Sequence, residues 1–217
     1  MSYFTLKNQS RDEFEEKKSI FIGQAKRIYS EDEAKEFIDS VRQGEKEARH
    51  NVYAYIIGEN KGIQRYSDDG EPQGTGGIPV LEVMKKNNIT DTVVVVTRYF
   101  GGILLGKGGL VRAYSKAAAM AVHKGEIVEK VLGCSIEITI DYDLLGKLQY
   151  SFQQKQWFIE NIEYTDKVML NIYCEENNIP SVENEVYNIT NGRCNIVKSE
   201  KEYYFKLGNR LYKEQHI

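Results

Sequence analysis

The stretch TVVVVTRYFGGILLGKGGLVRAYSKAAAMAVHK, Thr92 to Lys124, decides the fold. Four valines between two threonines leave no polar face, so Thr92–Thr97 is predicted to be a central strand covered on both sides. It runs through Arg98-Tyr99-Phe100 into a glycine-rich turn and then an alanine-rich helix starting near Gly109 or Leu110. That helix should bury Leu110, Ala113, Tyr114, Ala117 and Ala121, the alanines allowing close approach to a sheet. Arg112, Lys116 and His123 fall on one stripe of it. The stretch contains no Asp or Glu; its charges are Arg98, Lys107, Arg112, Lys116 and Lys124. A second stretch, SDDGEPQGTGGIP from Ser67 to Pro79, is its opposite, with Asp68, Asp69 and Glu71. The two stretches hold nine of the 18 glycines, a density that lets backbone approach another group closely or adopt positive φ. Opposite charge predicts that they pack together, with Glu71 near Arg98, and form the working surface.

Outward from there the elements are ordinary. Ser19–Ile28 reads as a strand after a charged lead-in. Ser30 with Glu33 makes a capping box for a helix that buries Ala34, Phe37, Ile38 and Val41 and stops at Gly44. Arg49–Gly58 alternates as a strand, and nothing periodic follows until a short helix, Pro79–Asn87. Glu126–Leu132 returns as a strand, and Gly133 is read as a domain boundary. After it come strand Cys134–Ile140, helix Tyr142–Gln156, strands Trp157–Tyr164 and Lys167–Cys174, helix Ile179–Thr190 and strand Arg193–Ser199. This βαββαβ order is the ferredoxin-like arrangement. The polar tail, Leu207–Ile217, is expected to fray. The expectation is thus an α+β protein with domains at residues 1–132 and 133–217.

Bulk charge does not advertise a nucleic-acid partner: 29 Lys and Arg against 32 Asp and Glu give −3. Its distribution is uneven. Residues 1–132 carry 20 cations against 19 anions, and residues 133–217 carry 9 against 13, so anion binding belongs to a local patch in the first part. No apolar run approaches the ~20 residues that cross a bilayer, and the N-terminus lacks a signal-peptide core, so a cytoplasmic protein without membrane contact is expected. Cys134, Cys174 and Cys194, odd in number and without CxxC spacing, read as buried structural thiols rather than disulfides or a zinc site.

Strand, glycine turn and helix in succession is the layout of phosphate-binding loops, where helix N-terminal N–H groups favour anions. The spacing matches neither G-x-x-x-x-G-K-[ST] nor G-x-G-x-x-G. Anion binding and simple tight packing both remain open for Arg98, Gly101, Gly102, Lys107, Gly108, Gly109, Arg112 and Lys116. A second loop of the same site would bring His50, Asp68, Asp69, Glu71 and Thr75. Its carboxylates either pair with the cations, stay solvated, or hold Mg²⁺ or act as a base. His50 alone reads as structural. There is no nucleophile elbow, no HExxH and no Cys–His arrangement, so no catalytic residue, metal site or cofactor is assigned. Tyr142, Tyr150, Trp157, Phe158, Tyr164 and Tyr173 lack a basic companion patch and read as packing.

DDGEPQGTGGIPVLEVM and VVVTRYFGGILLGKGGLVRAYSKAA, with RHNVYAY upstream, resemble the YigZ/IMPACT family in its bacterial YigZ-like branch. The resemblance implies an N-terminal two-layer domain similar to the second domain of ribosomal protein S5. It implies a C-terminal domain similar to the last domain of elongation factor G. Eukaryotic relatives bind the activator of a translation-initiation-factor kinase; no enzymatic activity is attached to the family, and nucleic acid or ribosome-related partners are suspected for bacterial members. Two departures stand out: Val52 where many members have Cys, which argues against a catalytic thiol there, and Gly76 where many have Ala. The function expected is a cytoplasmic, non-enzymatic, translation-related regulator that binds RNA or a ribosome-associated partner through the basic glycine-rich patch. The alternatives are a Mg²⁺-dependent enzyme acting on a phosphorylated small molecule and a protein–protein adaptor using the C-terminal sheet.

Overall fold

The structure, a computed structural model, describes residues 2–214. The chain forms two compact units, Tyr3–Val128 and the chain from Glu129 on. The first contains β1 (Ser2–Leu6), β2 (Ser10–Glu16), β3 (Ser19–Arg27), α1 (Glu31–Gly44), β4 (His50–Ile57), β5 (Ile63–Ser67), α2 (Gly77–Lys86), β6 (Thr92–Tyr99) and α3 (Gly106–Lys124). Five strands make one antiparallel sheet in the order β2-β3-β6-β4-β5. β6 is central, and its valines are fully buried. Val93 and Val95 pack with Phe37, Ile38 and Val41 of α1, while Val94 and Val96 pack with α2 and α3. Each such valine contributes about 1.5–3 kcal/mol of transfer free energy, which is why a strand without a polar face lies at the middle.

Helices on both faces make this unit three-layered, where two layers were expected; α1 covers the second face through its Ala34–Phe37–Ile38–Val41 stripe. The cap of α1 follows the sequence. Ser30 Oγ accepts from the Glu33 amide at 3.1 Å, and the Glu33 carboxylate accepts from the Tyr29 amide at 2.9 Å. α3 begins earlier than expected, at Gly106, and buries Leu110, Ala113, Tyr114, Ala117 and Ala121 together with Ala118 and Val122.

The second unit is built from β7 (Ile127–Ile140), α4 (Tyr142–Gln154), β8 (Ile159–Tyr164), β9 (Val168–Glu175), α5 (Ile179–Thr190), β10 (Cys194–Lys198), β11 (Glu202–Leu207) and β12 (Arg210–Tyr212). β7 pairs antiparallel with β9 along one edge and with β10 and then β11 in succession; β8 pairs with β9. Cys134, Ile136, Ile138 and Ile140 alternate into a core closed by Leu144, Leu148 and Phe152 of α4 and Val182 and Val186 of α5. No strand break occurs at Gly133. That residue sits inside β7, where a Cβ would lie 2.4 Å from the Cys174 carbonyl oxygen, so the glycine serves close strand approach.

The expected fraying does not describe the tail as far as residue 214. β12 pairs with β11, and Tyr204 and Leu211 pack with Val131 and Tyr173; residues 215–217 lie outside the described residues. Tyr142, Tyr150, Phe158 and Tyr164 are exposed, against the packing role read for them. Cys134 and Cys174 are buried free thiols opposed across β7 and β9, and burial pushes Cys174 up to about 12 and Cys134 in the same direction. Cys194 is free and half-buried. Among the described residues no helix is long and apolar enough to cross a membrane.

Candidate functional site

Register puts Phe21, Arg98 and His50 side by side on β3, β6 and β4. Arg98 has the parity of Val94 and Val96, so its side chain turns inward under α3 rather than outward. There it meets Glu71: Arg98 Nη1 donates to Glu71 Oε1 at 2.6 Å, and Tyr114 Oη donates to the same oxygen at 2.7 Å. Arg98 is 6% exposed and Glu71 8%, so the pair is effectively dry. Burial, with the Glu71 carboxylate beside it, pushes the Tyr114 hydroxyl far above the usual tyrosine range and keeps it a donor. The acidic and basic stretches therefore meet as their charges predict.

The other acidic side chains are also committed to the fold. Asp68 Oδ1 accepts from the Gly76 and Gly77 amides at 2.9 and 2.8 Å, and Oδ2 from the Gly74 amide at 2.8 Å. Gly76 and Gly77 open α2, which has no side-chain cap from its own N-cap position, so Asp68 closes that terminus from eight residues upstream. Asp69 accepts from the Asn51 amide at 2.6 Å and from Arg42 of α1 at 3.0 Å, and its carbonyl meets His50 Nδ1 at 2.8 Å. Thr75 is buried and donates to the Pro72 carbonyl. Among the described residues, no three His, Cys, Asp or Glu side chains gather as a metal-binding group.

The departures at Val52 and Gly76 meet in space. A Cβ on Gly76 would lie 2.8 Å from Val52 Cγ2 and 3.0 Å from Cγ1. The extra methyl of Val52 fills the room that a residue-76 side chain would take. Gly76→Ala should therefore destabilise the protein by about 1–3 kcal/mol, and Val52→Cys should recover part of that loss. Denaturant melts of the two single variants and the double variant check this; additive losses would contradict it.

The charged side chains that α3 presents to solvent are cationic, and among the described residues Glu16 of β2 is the one carboxylate beside them in the smaller of two hollows. Lys107, Arg112 and Lys116 are exposed on α3, whose glycine-rich start has no side-chain cap and no acid in its first turn. Gly108 and Gly109 lie in that first turn, and Gly102 is an exposed turn residue with φ +84°. Gly101 is pressed onto the β2–β3 turn: a Cβ there would fall 2.0 Å from the Lys18 carbonyl. This contact adds a cation that the sequence reading overlooked. Lys17 lines a hollow of about 220 Å³ with Arg112, Lys116, Gly109, Phe14 and Glu16, and Lys116 Nζ stands 4.0 Å from the Phe14 ring centre. A larger hollow of about 380 Å³ is bounded by Arg49, His50, Arg98, Phe100, Leu104 and Lys107, among others. Among the described residues, none of Lys17, Arg49, Lys107, Arg112 and Lys116 has a carboxylate partner. The candidate residues thus divide. Arg98, Asp68, Asp69, Glu71 and Thr75 form an internal frame, and Lys107, Arg112 and Lys116 present charge outward.

Fold and site together define a two-unit α/β protein with a cation-bearing glycine turn braced by a buried Arg–Glu–Tyr cluster. Residues 17–122 match the model of the Impact N-terminal domain, and residues 138–193 match a domain of unknown function, DUF1949. "IMPACT family member YvyE" of Bacillus subtilis is 40% identical over 210 residues, 97% of each chain. "IMPACT family member YigZ" of Escherichia coli is 34% identical over 158 residues, 72% of this chain and 78% of YigZ. A solved structure titled "Crystal structure of an hypothetical protein" is 28% identical with a TM-score of 0.59, covering 93% of this chain and 98% of that one. The chain belongs to the IMPACT family.

Proposed function

We propose that the protein is a cytoplasmic, translation-related regulator whose first unit holds RNA by its phosphate backbone. The observation that carries this is the set of four exposed, unpaired cations, Lys17, Lys107, Arg112 and Lys116, around an uncapped glycine-rich helix start in a protein of net charge −3. Phosphates are favoured by such N–H groups and by free cations together. The finer fold reading points the same way. We take the first unit as akin to the second domain of ribosomal protein S5, with α1 added on its other face. We take the second as ferredoxin-like and akin to the last domain of elongation factor G; its edge-to-edge order β10-β7-β9-β8 supports that.

A Mg²⁺ enzyme would need Asp68 or Glu71 free, and both are held by backbone amides or Arg98. A ribosome-associated protein is the other partner the patch would fit, and the same test separates it. For single-stranded RNA, log Kd changes with log salt by about 0.7 per neutralised phosphate, so four engaged cations give a slope of about 3. Arg112→Ala should lower that slope by about 0.7 and weaken all sequences alike. Binding that ignores salt, or a variant with an unchanged slope, would contradict the reading.

A further inference from the structure

We infer that the larger hollow receives one unstacked base of a single-stranded RNA, with Phe100 as its stacking platform; this rests on the RNA reading above. Phe100 is a large aromatic that is 53% exposed, yet it is not loose. The Arg98 guanidinium carbon lies 5.4 Å from its ring centre and 5.5 Å from that of Phe21. Arg98 is fixed in turn by Glu71, and Glu71 by Tyr114. The next residue, Gly101, is pinned to the β2–β3 turn, its amide donating to Ser19 Oγ at 3.1 Å. A half-exposed ring packed against a fixed guanidinium offers a stacking surface at low entropic cost.

The walls of the hollow suit a base. Leu104, Leu105 and Leu110 are apolar, Leu104 being 82% exposed at the surface, while Arg49, His50 and Lys107 supply polar edges. About 380 Å³ admits a planar ring system and not a duplex, and stacking on aromatics beside a cationic track is how unpaired bases are held. The track is adjacent: Leu105 lines both hollows, so a backbone following Lys107, Arg112 and Lys116 passes the larger one. The free cations around it and the absence of an unpaired carboxylate among its described lining residues favour a phosphate-bearing occupant over a neutral apolar peptide, Glu71 being taken by Arg98.

The test uses the full chain with a single-stranded RNA carrying 2-aminopurine, a duplex RNA of equal length, and the variants Phe100→Ala, Phe100→Tyr and Arg112→Ala. Phe100→Ala should weaken single-strand binding by about 5- to 150-fold, the range of base–aromatic stacking, with the salt slope unchanged. It should leave the duplex unaffected and abolish the 2-aminopurine quenching that the wild type and Phe100→Tyr produce. Phe100 lies outside the buried cores, and a melt of each variant confirms folding. Unchanged single-strand affinity in Phe100→Ala, with Arg112→Ala still lowering the slope, overturns the base site and leaves the RNA reading standing. Equal loss on duplex also overturns the base site. No salt-dependent binding by the wild type overturns both, as does Phe100-dependent capture of an acidic peptide in place of RNA.

Discussion

Glu71→Ala should destabilise the first unit by about 3–5 kcal/mol, the cost of leaving a buried charge without its partner. Arg98 is buried, and its Nε already lacks a hydrogen-bond partner, so no other acceptor stands ready to replace the carboxylate. Tyr114 would lose its acceptor in the same step. Glu71→Gln keeps the shape and one acceptor oxygen and should cost distinctly less. Replacing both partners by apolar residues of similar volume, as in Glu71→Leu with Arg98→Met, should recover much of the loss, because a buried pair is worth little against good packing. Chemical denaturation followed by circular dichroism measures all three. A Glu71→Ala protein as stable as wild type would mean that Arg98 is hydrated in solution and that the cluster does not brace Phe100.

Asp68→Ala should cost about 2–5 kcal/mol. Three backbone amides lose a charged acceptor at once, each a penalty of roughly 1–3 kcal/mol when left buried and unpaired, offset where water enters. The loss is also that of a helix cap. Asp68→Asn retains an oxygen for Gly76 and Gly77 but sets an amide against the Gly74 N–H, so it should fall between. Hydrogen exchange localises the effect: amides of Gly74, Gly76 and Gly77 should lose protection first, while the second unit is unchanged. Uniform loss of protection through both units would contradict the local role.

Much of this was legible in the residues, for physical reasons that also mark where legibility stops. Four consecutive valines have no place but a strand covered on both faces, and the fold supplies α1 on one and α2 and α3 on the other. The strands the residues do not announce are β1, β2, β5, β11 and β12, and of these β2, β5 and β12 carry charged residues such as Arg11, Asp12, Glu13, Arg65 and Arg210. β2 and β5 are sheet edges and β12 ends its own strand path, so pairing on one side only leaves little apolar pattern to read. The start of α3 at Gly106 is hidden in the sequence because glycines at 106, 108 and 109 count against a helix. Arg98 looked like a surface cation from its glycine-rich setting; its parity with Val94 and Val96 was the available signal that it points inward. Asp68 capping a helix eight residues away obeys no short-range rule, and Lys17 joins the patch only through the close approach of Gly101.

The central claim is that RNA lies on the face built from the glycine turn and the start of α3. Ultraviolet crosslinking of the full chain to single-stranded RNA at low salt, with the adducts mapped by mass spectrometry, tests it most directly. The account predicts adducts on peptides spanning Phe14–Lys18 and Arg98–Lys116. Adducts confined to the second unit, or none under conditions where a known single-strand binder crosslinks, would contradict it.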